Sequence, residues 1–400
     1  MKFQNPTQSM HCLVEQYKHG HSLYFSSPEQ TLLATPPCSP VILAEDDNLP
    51  LKIRESLNLC ANLGFKEPIV MGAIDLTGRD HSAIRVCPYV QSAPTRWQAG
   101  ETGHKNRSRW KETAVCNPVP GQAKFRRTIN MAKKRFADGE LEKVVLSRSL
   151  EIKTNNPIQS DQVLQRLQQN HRRGYTFAFN LPSTQEPGKT RTLIGATPEL
   201  LVRKEGRKII VNPLAGSIPR HSDPTEDKAV SENLLRSPKD LFEHKVVVDS
   251  IQCALAPICA SLSVPPLPEL LQTPTLWHLS TVIVGELNED LTSLEVAQVM
   301  HPTPAICGAP RQKAQDFIQQ HEGYDRGLFT GLVGWQNLKG DGEWAVTIRC
   351  AEFIDNQITL YAGAGIVNDS CPEKEFRETA AKFGPMLDAL ELPREWGLLP

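Results

Sequence analysis

The chain has 400 residues, 40% of them hydrophobic and 22% charged, with a formal net charge of −1. That length supports a large core, as one big α/β unit or as two domains, and so balanced a charge gives no general drive towards nucleic acid or acidic membranes. Ten cysteines without a C-x-x-C pair argue against a zinc site or disulfide framework; the polar N-terminus and the lack of a membrane-length apolar run make the cytoplasm the expected compartment. In chain order, apolar runs at 41–44, 68–74 and 83–90 read as strands between turn-rich loops. The stretch 92–121 is polar, with Pro94, Pro118 and Pro120 and a basic cluster at Lys105, Arg107, Arg109 and Lys111. It reads as a surface connection that closes an N-terminal part, 1–120, and precedes the region 121–400. The cluster could grip an anion, but no aromatic or glycine pattern accompanies it, which favours a solvated loop. Phe125, Ile129, Ala132 and Phe136 mark an amphipathic helix ending at Gly139. Strands are then expected over 144–152, 176–181, 193–203, 208–211, 281–284, 331–336 and 343–350, interleaved with helices. A long helix is expected over 232–262, with a break near Pro257. Another follows a strand at 357–361.

Two of these helices carry paired carboxylates. Asp240 and Glu243 lie at i, i+3, and Glu375, Glu378 and Lys382 at i, i+3 and i+7, so each set shares a helix face. Neighbouring carboxylates repel unless a cation or shared proton stands between them. Taken singly, each set also fits an ordinary solvated face, with Lys382 quieting the second pair. Brought together, they would form an oxygen-rich site without His or Cys, the chemistry of Mg²⁺.

Other positions hold one candidate group each. Lys143 opens a strand, where it either caps the end in solvent or faces a closed pocket and serves as a base towards water. Glu199, between small residues and an apolar strand, is either a solvent-facing turn residue after Pro198 or a carboxyl of raised pKa able to act as an acid. Ser217 closes a small-residue loop that begins at Pro213. His278 stands beside a strand, where a histidine is more often structural than catalytic. Ala305 and Ile306 lie in a loop stiffened by Pro302 and Pro304 and closed by Gly308, as a pocket wall would be. Arg349 ends a strand and suits a carboxylate fork. Gly363 and Gly365 can expose backbone N–H groups.

The order of these blocks is more specific than any one of them. K-V-V-L-S-R, G-A-T-P-E-L-L, P-L-A-G-S, K-D-x-x-E-H, W-H-L-S-T, H-P-T-P-A, T-I-R, and G-A-G-I-V with E-x-x-E-x-x-x-K resemble the chorismate-utilising enzymes, the family of anthranilate, aminodeoxychorismate, salicylate and isochorismate synthases. The resemblance spans roughly residues 122–392. It implies an α/β (α+β) fold of large, mostly antiparallel sheets flanked by helices, with the active site between them. It also implies Mg²⁺ held by Glu243 and Glu378, with Asp240 and Glu375 acting through water. Arg349, Lys382 and the backbone at Gly363 and Gly365 would hold the substrate carboxylates, and Ser217, His278, Ala305 and Ile306 would complete the substrate pocket.

Within that family, enzymes that add water carry lysine where this chain has Lys143, and those that add ammonia generally have glutamine. Salicylate synthases share the lysine. The P-T-P-A-I loop is similar to that of isochorismate synthases, where salicylate synthases show a threonine-bearing variant; Cys307 stands where serine or another small residue is expected. The resemblance therefore implies reversible, Mg²⁺-dependent conversion of chorismate to isochorismate. Lys143 would activate a water for attack at C2 and Glu199 would protonate the departing C4 hydroxyl. A downstream isochorismate-consuming enzyme is the expected partner, in catecholate siderophore synthesis or in menaquinone synthesis. The short chain leans to the former. The alternatives are a salicylate synthase, an amine-adding synthase with a glutaminase subunit, against which Lys143 argues, and a non-catalytic chorismate-binding protein.

Overall fold

A computed structural model describes residues 9–39, 42, 48–76, 82–95, 114–182 and 190–400. In chain order the strands that carry the site are β1 (Lys143–Lys153), β2 (Thr190–Thr197), β3 (Leu200–Glu205), β4 (Leu214–Pro219), β5 (Leu276–Ser280), β6 (Gly342–Val346), β7 (Cys350–Ile354) and β8 (Gln357–Ile366). The helices are α1 (Pro224–Arg236), α2 (Pro238–Leu255), α3 (Arg311–His321) and α4 (Pro372–Ala389). β1 is buried on both faces over its first eight residues, so the period-2 alternation of a half-exposed strand is absent from it.

Among the described residues three antiparallel sheets form. The first has ten strands and contains, side by side, β1, β8, β7 and β2. The second has eight strands and contains β3 next to β6. The third is small and joins β4 to β5. The two large sheets face each other across a core in which Phe177, Phe179 and Leu193 of the first meet Met71, Val333 and Ala345 of the second. Helices cover both outer faces: α2 packs on the second sheet, through Val247, Val248 and Ile251, and α4 on the first, through Phe383, Met386 and Leu387. Each such fully buried side chain contributes about 1.5–3 kcal/mol. Strands from the first 95 residues enter both large sheets.

Several elements differ from the sequence expectations. Of the strand at 41–44 only Ile42 is described, bridged to Ile84, and the basic cluster at Lys105, Arg107, Arg109 and Lys111 lies outside the described residues. The stretch 92–121 is not all surface connection: Val90–Pro94 and Val115–Val119 both join the first sheet. Pro118 is tolerated because that strand pairs with β1 alone. The expected helix over 232–262 is two helices and a strand. Ser237 ends α1 and caps α2, its hydroxyl accepting from the Asp240 N–H, with Pro238 at the first helical position, where its missing N–H costs nothing. After Leu255 the chain leaves the helix and Cys259–Ser263 forms a strand.

The strands expected over 193–203 and 343–350 are each broken in two. At Thr197–Leu200 the chain passes from the first sheet to the second, and at Val346–Cys350 it passes back. The two crossings lie against each other. Val346 N–H donates to the Glu199 carbonyl at 3.1 Å, and Ala196 N–H to the Arg349 carbonyl at 3.1 Å. Pro198 cannot donate to a ladder, and Arg349 takes a left-handed φ of 53°, an uncommon conformation that a non-glycine residue keeps only where its surroundings fix it. Arg349 thus sits in the crossing, not at a strand end. The segment 213–217 is not a loop either, since residues 214–219 form β4, bulged at Gly216, whose φ is 77°. Gly363 and Gly365 lie inside β8, paired with Ser147 and Val145, and do not follow the strand.

Candidate active site

β8 pairs with β7 only up to Leu360, and beyond it only with β1. One edge of its glycine-bearing half is therefore left open towards the space between the sheets. A narrow cleft forms there. Its walls include Glu199, Ser217, Glu243, His278, Ala305, Ile306, Arg349, Gly363, Gly365, Glu378 and Lys382. Lys143, Asp240 and Glu375 stand just behind that wall. A larger, more open cavity adjoins it through Pro198 and Arg349, but holds none of the candidate carboxylates and neither Lys143 nor Lys382.

At one end the two acidic helices meet. Asp240 and Glu243 come from α2, Glu375 and Glu378 from α4, and Lys239 Nζ joins the helices at 2.8 Å from Glu375 Oε1. Gly216 makes the approach possible, because a Cβ there would stand 3.1 Å from Asp240 Cβ and 3.2 Å from its carbonyl. His244 anchors α2 from below, with Nδ1 3.1 Å from the Ala215 carbonyl and Nε2 2.7 Å from Thr281 Oγ1. Burial lowers its pKa to about 4, so it is a neutral strut. Glu378 accepts from Ser217 Oγ at 3.0 Å and pairs with Lys382 at 2.6 Å. Burial would raise its pKa, but Lys382 and then Lys239 overcome that and hold it below the ordinary range. Burial, aided by the Glu378 charge, pushes Glu375 up to about 7. Burial also raises Asp240.

Lys143 is fully buried, and its Nζ lies 3.0 Å from Glu243 Oε1. The pair is close but out of line for a hydrogen bond, and the Lys143 Nζ finds no hydrogen-bond acceptor among the described residues. Both side chains stand against Gly365, where a Cβ would come 1.9 Å from Glu243 Oε1 and 2.9 Å from Lys143 Cε. Alanine at 365 must therefore push both groups off position. Gly365→Ala is expected to keep the fold and lose roughly a hundredfold in turnover, the cost of about 1 Å of misplacement. Circular dichroism beside steady-state kinetics checks it.

At the other end Glu199 is buried at the sheet crossing. Burial raises its pKa to about 7, against the backbone N–H of Leu214 and the charges of Lys143, Arg349 and Lys382. Arg349 faces the same cleft. Among the described residues its guanidinium takes no protein hydrogen bond, and burial lowers its pKa to about 10. His278, cross-strand from Ser217, has a buried Nε2 with no hydrogen-bond partner among the described residues. Burial, then Arg349 and Lys382, keeps its ring neutral. Lys382 donates to the Gly363 carbonyl at 2.8 Å. Two cations, a neutral histidine and an acid of raised pKa around one cleft suit an organic dianion.

Among the described residues no three His, Cys, Asp or Glu side chains stand in metal-ligating geometry; the carboxylates pair with lysines instead. The donor set still fits a hard divalent cation. It is all carboxylate oxygen, and Glu375 Oε2 is buried without a hydrogen-bond partner among the described residues.

Sequence reasoning missed the hub that fixes the pocket loop. Arg326 donates to the Ile306 carbonyl and to the Val145 carbonyl, both at 2.8 Å, and forks onto Glu322 at 2.7 and 2.8 Å. Glu322 in turn accepts from the Ser147 N–H and hydroxyl at 2.6 Å. This buried network ties the loop bearing Ala305 and Ile306 to the strand that begins at Lys143. Its one sequence signal is the i, i+4 spacing of Glu322 and Arg326. Cys307 is buried in the packing beside Phe317 and Ile366 and contributes no polar group to the cleft.

Residues 79–391 match the profile of the family described as chorismate binding enzyme. The chain is 43% identical over 385 residues to the isochorismate synthase DhbC of Bacillus subtilis, covering 94% of this chain and 95% of that one. It is 39% identical over 313 residues to the vibriobactin-specific isochorismate synthase of Vibrio cholerae, covering 76% and 78%. The crystal structure of DhbC from Bacillus anthracis superposes with a TM-score of 0.89 at 43% identity, over 95% of this chain and 99% of the other. The match starts ahead of residue 122, where the motifs begin, as expected once the N-terminal strands share both large sheets. This chain belongs to the chorismate-binding enzyme family.

Proposed function

We propose that the chain is an isochorismate synthase that interconverts chorismate and isochorismate. The observation that supports this reading is that one cleft brings together Lys143, behind its acidic end, and Glu199, at the sheet crossing, with Arg349 and Lys382 on its wall as the groups for the substrate's two carboxylates. Lys143 takes a proton from the water whose oxygen bonds to C2. The ring double bonds shift, the C4–O bond breaks, and Glu199 gives the leaving hydroxyl its proton. One water enters and one leaves, so the reaction is an isomerisation and runs both ways. Arg349 and Lys382 orient the ring for attack. Glu243 and Glu378 would hold Mg²⁺, with Asp240 and Glu375 behind them, and the metal would supply positive charge for a substrate carboxylate.

Ala305 and Ile306 offer the enolpyruvyl arm no polar side chain, which favours retention of pyruvate on the ring. Purified enzyme with chorismate and Mg²⁺ is therefore expected to approach a mixture of chorismate and isochorismate, with little pyruvate or salicylate, and to stop when EDTA is added. Chromatography over a time course checks this. Stoichiometric pyruvate would instead make the chain a salicylate synthase, and full activity in EDTA would remove the metal from the reading.

A reversible isomerisation needs a consuming reaction to draw it forward. Its similarity to DhbC and to a vibriobactin-specific enzyme supports catecholate siderophore synthesis. A deletion strain is expected to stop secreting catecholates and to keep its menaquinone. Loss of menaquinone alone would assign the chain to that pathway.

A further inference from the structure

Every carboxylate of the acidic cluster faces an ammonium. Lys143 lies 3.0 Å from Glu243, Lys382 lies 2.6 Å from Glu378, and Lys239 Nζ lies 2.8 Å from Glu375 Oε1 and 3.9 Å from Asp240 Oδ1. Two of these lysines have a second task. Lys143 stands behind the acidic end of the cleft as the base of the proposed reaction, and Lys382 borders the cleft while holding the Gly363 carbonyl. Lys239 has none. It does not border the cleft, and among the described residues its ammonium touches only Glu375 and Asp240.

Its location is also unfavourable on local grounds. Lys239 is the second residue of α2, in the first turn, where the helix dipole disfavours a cation. What keeps the ammonium there is the buried charge opposite. Glu375 is 1% exposed, and a carboxylate so deeply placed needs a positive partner. A divalent cation in the same cluster would supply that charge in place of the lysine and would be repelled by it at short range.

We propose that Lys239 is a resident counter-cation of the acidic cluster. It neutralises Glu375 and Asp240 in the metal-free protein and opposes Mg²⁺ on binding, holding magnesium affinity at a weak, exchangeable level. The proposal rests on the reading of Asp240, Glu243, Glu375 and Glu378 as the Mg²⁺ site. Lys239 is a positioning residue here. It acts through Glu375 and touches no reacting atom.

The test uses the full chain and MgCl₂ alone, by titration calorimetry and by thermal unfolding with and without the metal. Lys239→Gln and Lys239→Met are expected to tighten the Mg²⁺ Kd roughly tenfold, since one unit charge leaves the cluster. Lys239→Arg, which keeps the charge, should stay within about threefold of wild type. The Mg²⁺-induced rise in Tm should be larger in the neutral variants, because their metal-free form has lost its counter-cation as well. A neutral variant unfolded without metal supports the proposal if saturating Mg²⁺ restores the wild-type Tm, and overturns it if Mg²⁺ does not. Unchanged or weaker Mg²⁺ binding in folded neutral variants also overturns it, making Lys239 a simple support for Glu375. A wild-type chain that shows neither heat nor Tm shift with Mg²⁺ overturns the proposal together with the metal reading, while chorismate turnover, assayed separately, still reports on the enzyme assignment.

Discussion

Lys143→Ala is expected to lower kcat by roughly a thousandfold, the usual worth of a positioned general base, while chorismate binding changes by no more than a few-fold. The separation follows from where the lysine stands. It lies behind the cleft wall, against Gly365 and Glu243, whereas Arg349 and Lys382 line the cleft and meet the substrate's charges. A group that acts on the attacking water contributes in the transition state far more than in the ground state, so its removal appears in kcat. The variant also leaves Glu243 buried without its cation, and breaking a buried pair costs about 3–5 kcal/mol. Kinetics and binding are therefore measured in saturating Mg²⁺, which balances that charge. Near-normal kcat in the variant would place water activation elsewhere. A parallel collapse of binding would make Lys143 a substrate ligand.

Glu199→Gln is expected to abolish the forward and reverse reactions by the same factor, again on the order of a thousandfold. The overall equilibrium between two isomers does not depend on the catalyst, so a group used in one direction is used in the other. The same constraint fixes the pH dependence. Forward chemistry starts with the amine free at Lys143 and the acid form at Glu199. Reverse chemistry starts with the ammonium and the carboxylate. The two states hold the same number of protons, so the forward and reverse kcat/KM must follow one profile. Burial places the Glu199 pKa at about 7. Reverse chemistry needs Glu199 as the carboxylate, so kcat/KM from isochorismate should fall as pH drops through about 7, and kcat/KM from chorismate should fall with it. Rate profiles measured from chorismate and from isochorismate check this. An acid limb that survives in Glu199→Gln at its residual rate would remove Glu199 from the proton inventory.

The sequence by itself determined the parts of the site that depend on short-range geometry. Helical spacing of three, four and seven residues puts Glu375, Glu378 and Lys382 on one face and Asp240 beside Glu243, wherever those helices end up. Motif order then identified the family and, with it, the list of cleft residues. Tertiary structure decided what those residues face. The meeting of α2 and α4 depends on Gly216 letting a helix approach β4, and on Lys239 bridging to Glu375, contacts between segments far apart in the chain. Glu199 and Arg349 read locally as a turn and a strand end. They became neighbours only because two strands, each continuous by its apolar pattern, cross between sheets at the same point. Hydrophobic periodicity reports that a residue is buried but not which sheet buries it, and so the breaks at 198 and 347–349 were hidden. The Arg326–Glu322 hub was hidden for a related reason. Four of its hydrogen bonds end on backbone groups of Val145, Ser147 and Ile306 or on the Ser147 hydroxyl, and backbone acceptors and donors leave no trace in residue identity.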